Sequence, residues 1–430
     1  MARTYTIKKE GPEGEARATR GAPPPVETYE APPPPPEGRI IGLDCHPDVH
    51  AAAVFRGVSV RDAVKLEARD NLSLESLLEW AGRGFTRKDL FLLEASANSF
   101  EIHGRLLALG LRAVVLESAH VARHAKSYAD NDRMAAARIA LVYLGGKAPC
   151  VWVPDERTRE RRGLLHAYNK AVAGHTAALN ALKGFLNQFA IRPGSRNLRS
   201  ERARKWVLAA REWTGLQGEL LSGHFADLEA RAQRRQDLAR LIHREICKEP
   251  LMLRCMRLLG LGPVNAFALL AVIGEVRRFE RPEKLAAYLG LNPGQRESGR
   301  GKRVKLGVGR RGRGDMRRLL VQAAHAVMCA GAGTPLGRWG WKLLARKGSR
   351  NTAVAAVARK LVVQVWHLLM GNPPQALEGD KTLALKLRRL AASLDEATRT
   401  GLGLAAKPSD CVAMLLERIS APAGCPPCTP

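Results

Sequence analysis

The chain has 430 residues, with 69 Lys and Arg against 41 Asp and Glu and a formal net charge of +28. Hydrophobic residues make up 46%, enough to bury cores in two or three domains, which excludes a wholly disordered chain. No uninterrupted apolar run reaches the roughly 18 residues of a bilayer span, no secretory leader is expected, and eight scattered cysteines argue for a reducing cytoplasm rather than a disulfide scaffold.

Residues 1–38 form a Pro-rich arm with runs at Pro23–Pro25 and Pro32–Pro36, too poor in apolar surface to offset its ordering entropy. From Arg39 the composition changes. RIIGLDCH and the AAAVFRGV that follows it read as two strands, Leu72–Gly82 as a helix and KDLFLLEAS (Lys88–Ser96) as a buried strand. Phe100–Leu109 then reads as a helix, Leu111–Leu116 as a strand and Asp132–Leu144 as a helix. Strands alternating with helices predict an α/β layer domain over 39–153.

Between 154 and 249 the strand signals stop. Apolar residues at helical spacing with a basic opposite face predict two or more long helices, antiparallel, broken near Ile191–Asn197. The segment 250–373 reads as mainly helical. Its RLLGLGPVNAFALLAVIG run suits a helix-hairpin-helix-like turn in which Gly260 and Gly262 would present amides to a phosphate, or an ordinary packing turn. Helices are expected at Met316–Ala330 and Thr352–Met370. Residues 374–430 are left as a tail with one amphipathic stretch, Leu383–Leu390.

Two constellations carry chemistry. Asp44 and Glu94 each close a strand, where ligands of open α/β sheets gather, and Asp132 opens a helix beyond them. The three suit a hard divalent cation for phosphoryl transfer, although Asp132 also suits a helix N-terminus electrostatically. The other constellation is PGQRESGRGKRVKLGVGRRGRGDMRR, which has nine Lys and Arg and one acid between Arg300 and Arg318. Ser298 lies there among Arg296, Arg300, Lys302 and Arg303. It reads either as a nucleophile in a positive field or as part of a flexible phosphate-binding turn. Lys305, Arg310, Arg311, Arg313, Arg317 and Arg318 extend the field and suit phosphate contacts. His46 and His50 are read as surface or core histidines, Trp339 and Trp341 as core, and the Cys425–Cys428 pair as part of the tail rather than a metal or redox site.

GLDCHPDVHAAAV, LLEAS, DNDRMAAARIA, WVPDERTRERRGLL and, more specifically, LLGLGPVNAFALLAVIGEVRRFERPEKLAAYLGLNPGQRESG resemble the DEDD insertion-sequence transposases. These are the insertion-sequence 110 group with its 1111 subgroup, and the resemblance covers roughly Ile40 to Pro373. It implies a RuvC/RNase H-like domain, a coiled-coil insertion and a helical domain with a catalytic serine. It also implies Mg²⁺ or Mn²⁺ held by Asp44, Glu94 and Asp132, a nucleophile at Ser298, and covalent phosphoserine–DNA chemistry. The partners implied are donor and target DNA, a noncoding guide RNA, and further copies of the chain in a dimer or tetramer, with no membrane. The family's fourth acid falls on Ala135, with Asp130 displaced from that position, so weakened metal binding and impaired strand cleavage are expected. Two other readings stand beside this one: a RuvC-like nuclease or resolvase using the carboxylates and water, and a non-catalytic RNA- or DNA-binding protein.

Overall fold

Strand residues that alternate between two apolar faces require cover on both sides, and the sheet receives it. β1 (Arg39–Cys45), β2 (His50–Arg56) and β3 (Val64–Leu72) form an antiparallel meander, and β4 (Leu90–Glu94) and β5 (Arg112–Leu116) add to β1 in parallel, giving the order β3-β2-β1-β4-β5. Ile40, Ala51, Ala53, Phe55, Leu90 and Leu92 pack on one face. Ile41, Leu43, Ala52, Val54, Phe91 and Leu93 pack on the other. α1 (Leu74–Gly84) and α2 (Ser99–Ala108) cover the second face, α3 (Ser118–Ala122) follows β5, and α4 (Asp132–Leu144) covers the first face. The computed structural model describes residues 31–122, 132–146, 149–194, 196–296, 304–308, 312–330, 333–372 and 380–420.

Gly42 explains the intimacy of β1 and α4. A Cβ there would stand 2.1 Å from the Ala136 carbonyl oxygen, so only glycine lets the helix backbone come down onto the strand. β3 is an addition to the expected pattern. VKLEARDNL has no apolar face because it is the exposed edge of the sheet, so alternation gave no signal.

α5 (Glu156–Asn187), α6 (Glu201–Ala209) and α7 (Gly215–Cys247) form the expected helical arm. Leu165 near the start of α5 shares a core with Ile242 and Ile246 near the end of α7, whereas Phe185 shares one with Leu221 and Phe225, so α5 and α7 run antiparallel. Side-chain caps from Asp155, Ser200 and Thr214 start the three helices, the last as a full capping box with Gln217.

The rest is helical apart from one hairpin. α8 (Pro250–Cys255), α9 (Pro263–Ile273), a 3₁₀ turn (Val276–Arg278) and α10 (Pro282–Tyr288) precede the strands β6 (Pro293–Arg296) and β7 (Val304–Val308). Then come α11 (Gly314–Ala330), α12 (Pro335–Lys347) and α13 (Arg350–Leu369). Among the described helices, α13 alone is long and apolar enough to cross a bilayer, yet its Val354, Val357, Leu361 and Val365 lie in the helical core. The segment read as a tail is corrected here. α14 (Asp380–Ala392), α15 (Glu396–Gly401) and α16 (Cys411–Ser420) bury Leu383, Leu387, Leu390, Cys411, Leu415 and Ile419 in that same core. Lys386 donates to the Met256 and Leu261 carbonyls at 2.9 Å each, and Arg254 and Arg418 tie α16 back to the domain.

Trp152 joins the two halves. Val151 hydrogen-bonds β5 and packs on its core, while the Trp152 ring lies within 5.2 Å of Arg162 on α5 and 4.4 Å of Arg278. The same arginines donate to the Ala271, Val272 and Ile273 carbonyls at the end of α9. Gly274, at φ +60°, sits so close that a Cβ would meet the Trp152 ring at 2.3 Å.

Candidate metal site and basic surface

Parallel register sets Leu43 opposite Leu93, so the next residues, Asp44 and Glu94, emerge side by side at the carboxyl ends of adjacent strands. Both follow residues whose partners two positions back, Gly42 and Leu92, face α4, so both point to the face that α4 covers. The close approach at Gly42 carries the first residue of α4, Asp132, to the same end. Of the sequence-derived acids, Asp44 and Asp132 therefore meet, and Glu94 stands beside Asp44.

A fourth group completes the cluster. His46 Nε2 lies 3.3 Å from Asp44 Oδ2 and 3.5 Å from Asp132 Oδ1. One ligand atom from each of Asp44, His46 and Asp132 falls within 4.8 Å of the others, a spacing that suits a single cation; Glu94 is outside this trio. His46, read as a surface or core histidine, is exposed, and the DCH tripeptide turns its ring toward Asp44 and Asp132. Its loop is held from both sides, by His46 N–H donating to the Val49 carbonyl and by Asn98 Nδ2 donating to the His46 carbonyl at 2.7 Å. His50, by contrast, is a core histidine, only 3% exposed.

The electrostatics follow from this crowding. Burial raises the Asp44 carboxyl and the Asp132 charge adds to that, while His46 and Arg138 oppose it. Burial and the Asp44 charge raise Glu94, with Arg138 again opposing. Burial and His46 lower His50. Arg138, two turns along α4, is a member of this field that the sequence did not single out. Ala135, one turn beyond Asp132, offers no ligand atom. Two carboxylates and an imidazole, half open to solvent, fit a divalent cation in charge and spacing.

The basic segment is described in part. Ser298, Arg300, Lys302, Arg303, Arg310 and Arg311 lie outside the described residues, as do Asp130, Cys425 and Cys428. Arg296 and Lys305 stand on the paired strands β6 and β7. Arg318 is exposed on α11. Arg313 and Arg317 both make hydrogen bonds within the protein. Arg313 forms a two-pronged pair with Asp315 at 3.2 and 2.8 Å, and Arg317 donates to the Gly290 carbonyl at 2.8 Å. Arg313 also helps a local cluster. Burial would raise the Tyr288 phenol, but Arg278, Arg162 and Arg313 hold it below its ordinary value.

Gly260 is explained by packing. It sits at φ +82°, and a Cβ would meet the Ala323 carbonyl at 2.5 Å, while Gly262 caps the start of α9 with open space around it. Trp339 packs on the helical core beneath Lys360, whose Nζ lies 4.6 Å from the ring. Trp341, read as core, is corrected: it is 44% exposed, its indole donating to the Met328 carbonyl. The described cysteines are all free.

The molecule is thus an α/β unit with a cation-sized carboxylate–imidazole cluster at the strand ends, joined through a helical arm to a basic helical unit. Residues 253–334 match the profile of the Transposase IS116/IS110/IS902 family. It is 30% identical over 206 residues to a "Probable family 20 transposase" of Pseudomonas aeruginosa, covering 47% of this chain and 60% of that protein. It is 25% identical over 297 residues to the "Transposase for insertion sequence element IS1111A" of Coxiella burnetii, covering 65% of this chain and 77% of that protein. The chain therefore spans less than two thirds of the Pseudomonas relative's length.

Proposed function

We propose that this chain is the DNA recombinase of an insertion sequence, guided to its sites by a noncoding RNA. The observation that carries this reading is the family match over 253–334, which contains the Ser298 segment, in a chain that also gathers Asp44, Asp132 and Glu94 at one end of a sheet. The strand order β3-β2-β1-β4-β5 supports a RuvC/RNase H-like reading of the α/β unit, and the antiparallel α5–α7 pair supports a coiled-coil reading of the arm. Asp44, Glu94 and Asp132 would hold Mg²⁺ or Mn²⁺, which when bound supplies charge neutralisation at the scissile phosphate.

The chain's own groups do the rest. The Ser298 hydroxyl attacks phosphorus: the Oγ–P bond forms, the phosphodiester P–O bond to the departing deoxyribose breaks, the serine proton passes to a base, and the departing oxygen takes up a proton. The phosphoserine–DNA link conserves the ester for rejoining. Arg296, Arg300, Lys302 and Arg303 neutralise charge developing on the phosphate, and Arg310, Arg311 and Arg318 hold neighbouring backbone. The net charge of +28 suits simultaneous engagement of guide RNA and of donor and target DNA, with base pairing reading sequence. Two duplexes require more than one serine domain, hence a dimer or tetramer.

Ala135 leaves the carboxylate set one member short, so cleavage by this chain is expected to be weak. The test is a denaturing gel of labelled donor DNA incubated with co-expressed RNA and this chain or its Ala135→Asp variant. The expected result is a protein–DNA adduct, stronger in Ala135→Asp and abolished by Ser298→Ala. Cutting indifferent to Ser298→Ala would replace this reading with a hydrolytic nuclease. Binding without cutting in either protein would replace it with a nucleic-acid-binding role.

A further inference from the structure

We propose that the trough between α11 and α13 is a base pocket, which takes one unstacked base of the DNA strand beside the β6–β7 hairpin. The inference rests on the DNA-recombinase reading above and deepens it, by naming where the strand is gripped.

Three elements build the trough. On α11, Arg317, Val321 and His325 recur every fourth residue and so share one face. On α13, Thr352, Ala355, Ala356 and Arg359 share another by the same spacing. The foot of the hairpin adds a third wall, where Pro293 of β6 pairs with Val308 of β7. Ala355 and Ala356 are short, and their shortness keeps the helices from filling the space between them. The cavity holds about 610 Å³, within the range of roughly 300–1,000 Å³ that small-ligand pockets occupy.

The lining selects the occupant. Leu291, Val308, Val321 and Val354 supply apolar wall, which suits a flat, weakly polar body. Two arginines and a histidine also line the cavity, and no Asp or Glu does. Arg317 is tied down, its Nε donating to the Gly290 carbonyl. Arg359 is different. It is half-buried, and its guanidinium has no hydrogen-bond or ion-pair partner among the described residues. A cation left unpaired on an apolar wall is costly until an anion reaches it. Asn351 and Thr352, both exposed in the first turn of α13, add hydrogen-bonding groups and the positive end of that helix. A flat apolar body joined to an anion is a nucleotide.

Placement favours DNA. Ser298 lies in sequence between β6 and β7, so the wall formed by Pro293 and Val308 is the foot of the segment assigned the attack on DNA. A base held there is anchored beside the strand to be cut, and apolar contact with its faces tolerates any sequence.

The test uses the full chain and fluorescent dT12, with EDTA present so that no cleavage takes part. Anisotropy compares dT12 with an abasic 12-mer of the same backbone and with U12. The expected result is that dT12 binds at least about tenfold more tightly than the abasic strand, on the scale of losing one base contact. Ala355→Phe and, separately, Ala356→Phe fill the trough and should remove that advantage, leaving abasic binding and its salt slope unchanged. Arg359→Gln should weaken both strands and reduce the salt slope by about 0.7, the share of one phosphate on a single strand. Thermal unfolding identifies which filled variants are folded, and either one alone suffices. An abasic strand that binds as well as dT12, an advantage that survives filling, or no binding of dT12 would each overturn the proposal. So would a filling-sensitive advantage shown by U12 and not by dT12, which would assign the trough to RNA. The adduct gel judges the recombinase reading separately, because these affinities do not depend on cutting.

Discussion

Replacing Gly42 by alanine tests the contact that brings the two aspartates together. The new methyl would stand 2.1 Å from the Ala136 carbonyl oxygen and 3.1 Å from the Ala140 nitrogen, both backbone atoms of α4 that cannot rotate away. Restoring ordinary contact requires the strand and helix to part by about 1 Å, and overpacking of this kind costs about 1–3 kcal/mol. The parting also loosens Ile139, Ala140 and Tyr143, all buried against the sheet, so the upper end of that range, about 3 kcal/mol, is expected. At roughly 3 °C per kcal/mol, thermal unfolding of the α/β unit should fall by about 10 °C. The same displacement moves Asp132 from Asp44, so affinity for a divalent cation should drop together with stability. Differential scanning calorimetry and Mn²⁺ titration measure the two effects. Gly104→Ala in α2, where a Cβ meets nothing within 4 Å, is the control and should stabilise by about 0.5–1 kcal/mol. A Gly42→Ala protein that melts with the parent and binds Mn²⁺ as well would refute the view that this glycine seats α4.

Three further outcomes follow from the packing. Trp152→Ala removes the ring between Arg162 and Arg278 and should cost about 2–3 kcal/mol, seen as faster proteolysis near 149–155 and a split unfolding transition. Lys386→Met keeps the stem but strands the Met256 and Leu261 carbonyls, for a loss of about 2–4 kcal/mol in urea unfolding; an unchanged midpoint would mean that α14 is not integral to the core. Burial alone would raise the Asp89 carboxyl, but hydrogen bonds from the Arg39 side chain, the Thr86 amide and the Arg39 amide hold it below the ordinary range. A depressed folded value means stabilisation that is present above the unfolded carboxylate value near 4 and is lost as pH falls through the folded one. Asp89→Asn should therefore destabilise at neutral pH and flatten the acid limb of a stability–pH curve below about pH 4.

What could be read from residues alone divides along physical lines. Buried strands that end in acids, such as LLE, and amphipathic helices with clear stops show in a linear pattern because burial and periodicity are local. β3 leaves no linear signal because an exposed edge strand needs no apolar face. The α14–α16 segment looked peripheral because its apolar stripe is sparse and its partners, such as Met256 and Leu261, lie more than a hundred residues away. Zinc-type spacing says little about a lone histidine such as His46, whose partner Asp132 is brought in by α4 through the close contact at Gly42. Arg313 and Arg317 were indistinguishable in sequence from their basic neighbours, since nothing linear reveals that Asp315 and the Gly290 carbonyl claim them.

The joint at Trp152 also has a mechanical side. α5 starts beside it and runs for 32 residues, about 48 Å at 1.5 Å per residue. Arg159 pairs with Glu101 of the sheet unit, and Arg162 grips the end of α9, so the base of the arm is clamped to both halves at once. A rod clamped at its base is a lever. A rotation of about 5° at the joint sweeps the tip by about 4 Å, and a pull on the tip returns to the joint as torque on the link between β5 and α9. A large partner held by the arm thus has mechanical leverage on the angle between the carboxylate cluster and the helical unit.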